Sequence, residues 1–184
     1  SLGVPPVWRT LLEFLDRTGK TVRTLNRNVV AGSASQSFLM EQFRRKYGVY
    51  VHHAWGMTEM SPLGTYNSLK RGMEVLPEQE TQKIKLKQGR GIYGVEMKIV
   101  NGDNNDLPWD GSSPGLLKVK GPWVCSSYFK VGNDSDTHDQ DGWFATGDIA
   151  TIDPNGYMQI TDRAKDLIKS GGEWISSIDL ENVA

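Results

Sequence analysis

The chain has 184 residues, enough for one ordinary domain or two small subdomains, and its 38% apolar content with six Trp is sufficient to fill a core. A formal net charge of −1 gives no electrostatic reason to expect nucleic acid or a membrane surface as partner. No apolar run reaches the length of a transmembrane helix, and Cys125 stands alone, so no internal disulfide can form.

The first half alternates helix and strand. Pro5 and Pro6 open a helix through about Asp16, with Val7, Leu11, Leu12 and Leu15 expected on its inward face. Asn28–Ala31 reads as a short strand. Gly32-Ser33-Ala34-Ser35 is a turn with Ser35 as helix N-cap, and it could also line the flat face of a ligand. The helix over Ser37–Tyr47 should point Phe38, Leu39 and Phe43 inward and stop at Gly48. Val49–Ala54 is the next strand, and short connections in such a βαβ unit favour parallel pairing. Adjacent His52 and His53 face opposite sides of that strand and cannot chelate one metal.

Trp55-Gly56-Met57-Thr58-Glu59 follows directly. A Thr hydroxyl can donate to a phosphoryl oxygen, and a neighbouring carboxylate can hold Mg²⁺; a Thr that merely caps a helix fits the same residues. Leu69 to Gly91 reads as a polar, Lys-rich connection. Beyond it come short strands: Val95–Val100, Leu116–Lys120, Ile149–Ile152 and Tyr157–Thr161, with Asn101–Gly115 as loop and Asp153-Pro154-Asn155-Gly156 as a turn. That half should form a small antiparallel sheet or barrel.

Asp136, Asp139, Asp141 and Gly142 have part of the spacing of a calcium loop. A loop ending at Asp148 would start at Thr137 and end on Asp rather than Glu, so a solvated acidic loop is expected. Asp148 can accept two hydrogen bonds from vicinal hydroxyls, or simply form an Asx-turn. The turn at Asp153–Gly156 folds Arg163 back toward it, which suits a nucleotide's sugar and phosphate. Lys165, Lys169, Gly171 and Gly172 mark a bend that is either a hinge or a plain loop.

Six segments in order resemble the adenylate-forming superfamily of acyl- and aryl-CoA synthetases, firefly luciferase and peptide-synthetase adenylation domains. They are GSAS at Gly32–Ser35, HHAWGMTEMSP at His52–Pro62, GVEMKIV at Gly94–Val100, GLLKVKGPWVCSSYF at Gly115–Phe129, DGWFATGD at Asp141–Asp148 and DRAKDLIKSGGEWIS at Asp162–Ser176. Within it the chain is most similar to short- and medium-chain acyl-CoA synthetases of the 3-methylmercaptopropionyl-CoA ligase type. The resemblance implies the end of a parallel α/β subdomain (residues 1–68), a small distorted antiparallel β-barrel subdomain (69–163), and a hinge with the start of a C-terminal domain (164–184).

It further implies ATP/AMP, Mg²⁺ and coenzyme A as ligands and a small carboxylic acid as substrate. Thr58 would meet the α-phosphate and Glu59 the Mg²⁺. Ala54, Trp55, Gly56 and Gly32, Ser33 and Ala34 would line the adenine and acyl portion. Asp148 would take the ribose hydroxyls and Arg163 the ribose-phosphate region. Lys165 would be the hinge, and Lys169, Gly171, Gly172 and Trp174 would border the coenzyme A passage. Leu116 stands where the family usually has an acidic residue.

Two rival readings are an acyl-AMP ligase that serves a carrier protein and a nucleotide-binding module without catalysis. No basic-then-apolar leader precedes Ser1, so the expected location is the cytoplasm, with the sequon at Asn133-Asp134-Ser135 idle. The start at Ser1 and the helix-like finish at Ala184 suggest a piece of a longer enzyme. The family's phosphate loop and its distal Lys would lie outside residues 1–184, and the piece alone is expected to be inactive.

Overall fold

The computed structural model describes residues 1–31, 37–129, 137–164, 168–170 and 173–175, the last two stretches as backbone. The chain divides into two compact units, residues 1–58 with 62–92, and residues 59–61 with 93–184.

The first unit begins with a two-residue strand missed by sequence, β1 (Leu2–Gly3), then α1 (Pro5–Thr18). Proline at the start of α1 loses no helical hydrogen bond, and Gly19 ends the helix in the left-handed conformation, donating to Leu15 O at 2.9 Å. The buried stripe is Pro5, Trp8, Leu12 and Leu15. Val7, expected inward, is 56% exposed, because Trp8 claims the core side: its Nε1 donates to Gly3 O and Val29 O at 3.2 and 3.1 Å. Strand β2 (Arg27–Val30), helix α2 (Ser37–Tyr47) and strand β3 (Tyr50–Gly56) complete the βαβ unit; β2 and β3 pair in parallel as expected, and β1 adds a further parallel partner to β2. On α2 the buried pair is Leu39 and Phe43; Phe38 turns outward at 62% exposure, about one 100° step off that stripe. Trp8, Leu12, Val30, Leu39, Phe43, Val49 and Val51 form the core, with Trp8 edge-on to Phe43.

After β3 the sheet turns antiparallel through β4 (Leu63–Tyr66) and β5 (Arg90–Gly91). The stretch expected to be a plain connection holds a 3-10 turn at Met73–Val75 and helix α3 (Glu78–Leu86). Glu78 and Glu80 in its first turn and Lys83 and Lys85 in its last complement the helix dipole. Its end is secured by side chains from the sheet. Asn67 Nδ2 donates to Ile84 O and Lys87 O at 2.7 Å, Thr65 Oγ1 to Gln88 O at 2.7 Å, and the buried His53 Nδ1 bonds Leu86 O at 3.0 Å. His52 is half-buried, bonded to Asn67 O and stacked on Tyr66.

The second unit is an antiparallel meander of β6 (Glu96–Val100), β7 (Gly115–Lys120), β8 (Phe144–Ile152) and β9 (Met158–Arg163) in that order. Strand β8 is longer at its start than sequence suggested. The expected turn at Asp153–Gly156 is present, with Asp153 Oδ1 accepting from Asn155 N and Tyr157 N at 2.8 and 3.1 Å. Met97, Ile99, Leu117, Val119, Phe144, Ala150, Ile152, Tyr157 and Met158 are buried along these strands. A hairpin, β10 (Ile168–Ser170) with β11 (Glu173–Ile175), follows. No helix among the described residues is long and apolar enough to cross a membrane.

Candidate functional site

Two departures from regular pairing converge on Asp148. The first lies between β8 and β9. From Ile152↔Met158 the register runs evenly to Ala150↔Ile160, then slips one residue, so that Ile149 meets Asp162 and Asp148 meets Arg163. Without that slip Asp162 would stand opposite Asp148, two carboxylates directly across a ladder, which is destabilising. With it, Arg163 Nε lies 2.9 Å from Asp148 Oδ1. The carboxylate side chain is 3% exposed and the guanidinium side chain 57%, so the pair joins a buried acid to a cation at the surface. Pairing continues past it through Ala164 N to Gly147 O at 2.9 Å.

The second departure lies on the other edge of β8. Leu116 pairs with Ile149 and Lys118 with Ala145, leaving Thr146, Gly147 and Asp148 opposite Leu117 alone. Gly147 takes a φ of +75°, which lets the extra residues loop out. Thr146 Oγ1 donates to Leu117 O at 3.0 Å and accepts from Asp148 N at 3.1 Å. Upstream, the Asp139 carboxylate accepts from Lys118 Nζ at 2.8 Å and from Trp143 N at 2.9 Å, which anchors the turn into β8. Burial pushes this acid up, but the Lys118 hydrogen bond, the Trp143 N–H and the Lys118 and Lys98 charges outweigh it and hold it below the usual carboxylate range. Asp139 is therefore part of a turn, and among the described residues no three His, Cys, Asp or Glu gather as a metal cage.

Glu59 lies in a 3-10 turn, Thr58–Met60, and is half-buried. Its backbone is held by Cys125 N, which donates to Glu59 O at 2.7 Å. Ser61, with φ +56°, donates from Oγ to Trp123 O at 3.1 Å. The Tyr128 hydroxyl donates to Glu59 Oε1 at 2.7 Å, and this hydrogen bond, with burial and the Glu59 charge, pushes the phenol up to about 12. Sequence reasoning did not single out Tyr128, since nothing in the pattern near Ser127 and Phe129 marks it as Glu59's partner. Thr146 was also missed, although a glycine inside a strand, here Gly147 next to it, is a sequence signal for a bulge.

In the first unit, Ala54 and Trp55 are buried on β3 and paired with Tyr66 and Thr65, and Thr58 is exposed. Gly56 sits at a register shift between Trp55 and Gly56; a Cβ there would meet Pro62 O at 1.9 Å. Gly32, Ser33, Ala34, Lys165, Gly171 and Gly172 lie outside the described residues. Lys169 and Trp174 are opposite each other in the β10–β11 backbone register. The structure thus brings Asp148 and Arg163 into contact and gives Glu59 a partner in Tyr128. Two clefts, of about 520 Å³ beside His52 and Asn67 and about 380 Å³ beside Leu116 and Ile149, are not lined by any residue singled out as a site.

The family model described as AMP-binding enzyme matches residues 1–129 of this chain. The chain belongs to the AMP-binding enzyme family. It is 52% identical over 184 residues to the 3-methylmercaptopropionyl-CoA ligase of Ruegeria lacuscaerulensis, covering 100% of this chain and 34% of that protein. It is 49% identical over 185 residues to the medium-chain-fatty-acid–CoA ligase of Ectopseudomonas oleovorans, covering 100% of this chain and 33% of that one. Among solved structures, the o-succinylbenzoate CoA synthetase of Bacillus subtilis in complex with its acyl-adenylate intermediate matches this AMP-binding chain with a TM-score of 0.79 and 30% identity, covering 99% of this chain and 34% of that one. This member of the family therefore spans about a third of the length of the curated relatives it matches.

Proposed function

We propose that the whole protein is an AMP-forming acyl-CoA synthetase of the cytoplasm that acts on a small carboxylic acid. Its division would be residues 1–68 closing a large α/β subdomain, 69–163 a β subdomain, and 164–184 the hinge and the start of a further domain. The observation that carries the reading is the buried Asp148 paired across the ladder with Arg163. A carboxylate offers about four lone-pair sites, enough to serve a guanidinium and a vicinal diol together. The matched relatives named as CoA ligases support the choice of reaction class.

In the first half-reaction the substrate carboxylate oxygen attacks the α-phosphorus of ATP, and pyrophosphate departs with the bonding electron pair. In the second, the coenzyme A thiolate attacks the acyl carbonyl carbon and AMP departs. Asp148 fixes the ribose, which orients the α-phosphorus without entering the chemistry. Arg163 supplies positive charge at the ribose-phosphate side. Thr58 donates to an α-phosphate oxygen, where negative charge builds. Trp55, Ala54 and Gly56, with Gly32, Ser33 and Ala34, flank the adenine and acyl group. Lys165 is the pivot between half-reactions, and Lys169, Gly171, Gly172 and Trp174 face coenzyme A in the second.

Magnesium is held by one or two carboxylates with substrate phosphates completing its shell. Glu59 fits that donor set: a single half-buried carboxylate, steadied at Oε1 by the Tyr128 hydroxyl. Bound beside it, the ion would neutralise charge on the phosphoryl oxygens.

The test uses the full-length protein with ATP, Mg²⁺, coenzyme A and a series of short- and medium-chain acids. Acid-dependent AMP and pyrophosphate should form, with a thioester only when coenzyme A is supplied. Asp148→Ala should raise the KM for ATP by about tenfold, the cost of one or two lost hydrogen bonds. Residues 1–184 alone should release no pyrophosphate. Absence of AMP from the full-length enzyme with every acid sinks the proposal.

A further inference from the structure

Thr146 carries a role beyond the residues named above. In a regular ladder each residue of β7 would face one residue of β8, and Leu117 O would accept a backbone N–H. The three-against-one bulge interrupts that regular pairing at Leu117. The Thr146 hydroxyl bridges the interruption, donating to Leu117 O at 3.0 Å, and its lone pair takes Asp148 N at 3.1 Å. One oxygen thereby satisfies a carbonyl on β7 and fixes the amide of Asp148. Thr146, Leu117 and Asp148 are all buried, at 5%, 1% and 2% exposure, so water from the surface cannot readily substitute.

A hydroxyl is the smallest group that can do both, since it donates once and accepts twice. Valine matches the shape of threonine but can do neither. It would take a hydrogen bond from a buried carbonyl and one from a buried amide, and the bulge would relieve this by shifting toward regular pairing. That shift moves the backbone of Asp148 itself, because no atom packs where a Gly147 Cβ would stand, and the Ala164 N–H bond to Gly147 O at 2.9 Å ties the bulge on its β9 side only at that carbonyl. Arg163 cannot hold the carboxylate in place, being anchored only on the opposite strand and mostly exposed.

We infer that Thr146 is a positioning residue for Asp148, setting the carboxylate for the ribose hydroxyls of the nucleotide. This rests on the reading of Asp148 as the ribose ligand. A site built to bond a substrate hydroxyl discriminates against the analogue that lacks it, so the ratio of kcat/KM for ATP over 2′-deoxy- and 3′-deoxy-ATP reports the alignment of Asp148.

The experiment measures that ratio in the full-length wild type, Thr146→Val and Thr146→Ser, with folding followed by circular dichroism and thermal unfolding. The wild type should prefer ATP over at least one deoxy analogue. Thr146→Val should lose about tenfold of that preference, mainly through KM for ATP, while Thr146→Ser keeps it. If the wild type shows no preference, Asp148 is not the ribose ligand and the functional reading fails. If the wild type discriminates and a folded Thr146→Val does so equally, the inference about Thr146 is overturned. Loss of discrimination in Thr146→Ser overturns it too. Should Thr146→Val unfold, Thr146→Ala carries the same comparison, and failure of both to fold assigns the hydroxyl to folding alone and overturns the inference.

Discussion

Gly56 and Gly147 both sit at irregularities in a strand, one in each unit, and they are glycine for opposite reasons. At Gly56 the constraint is space: Pro62 O occupies the position a Cβ would need, at 1.9 Å. At Gly147 nothing lies within 4 Å of an added Cβ, and the constraint is the backbone, held at φ +75°. One glycine lets two stretches of the same chain touch, and the other lets a strand loop out. Sequence alone suggests close approach to a ligand for Gly56, two residues before Thr58. The structure adds a second cause, the chain's own Pro62 carbonyl on the side where a Cβ would stand. The lesson is that a motif glycine has to be assigned to sterics or to dihedral freedom before it is assigned to function.

The contrast can be broken by substitution. Gly56→Ala should have the largest effect. The obstructing atom is backbone, so no side-chain rotation can relieve it, and the loss should exceed the roughly 1–3 kcal/mol of an ordinary overpacked site. Urea unfolding of the variant measures this; a cost under about 1 kcal/mol would mean that Pro62 can yield. Gly147→Ala should cost less, about 1–2 kcal/mol, the penalty of a left-handed β-carbon. Gly147→Asn should recover part of it, because asparagine tolerates that region, whereas Gly56→Asn should be no better than alanine. Equal behaviour of the two asparagine variants would erase the distinction.

A smaller effect concerns the turn that leads into the Asp148 bulge. The Asp139 acid is held below its ordinary value, so its contribution is present above about pH 4 and is lost as pH falls through the folded-state value. Thermal unfolding between pH 6 and pH 3 should show this loss in the wild type. Asp139→Asn should start lower at pH 6 and fall less steeply. Parallel pH profiles for the two proteins would place the stabilisation elsewhere.

What the sequence revealed tracks how local each cause is. The parallel β2–β3 pairing and the β8–β9 hairpin were legible because Gly48 and Asp153–Gly156 are local turn signals. Arg163 could be expected near Asp148 from the same turn, but not directly opposite, since the one-residue slip that puts it there arises within the ladder. Helix α3 escaped because only Thr81 on it is buried, leaving almost no apolar stripe to read. What secures it comes from Asn67, Thr65 and His53, eleven or more residues before its first turn. Val7 and Phe38 misled because they are apolar residues one helical step away from the true stripe. Tyr128 was invisible for the plainest reason, a partner 69 residues away.

That separation has a consequence for the birth of the protein. Three residues, Glu59 to Ser61, leave the first unit and are counted with the second, whose other members begin at Tyr93. On a ribosome adding about 5–20 residues per second, Glu59 is synthesised some 3–14 s before Tyr128. During that interval the first unit can close around β3 and β4 while a carboxylate and its two neighbours wait for the strands that will receive them. The candidate metal ligand is thus made before the tyrosine that steadies it, a vectorial delay written into the order of the chain.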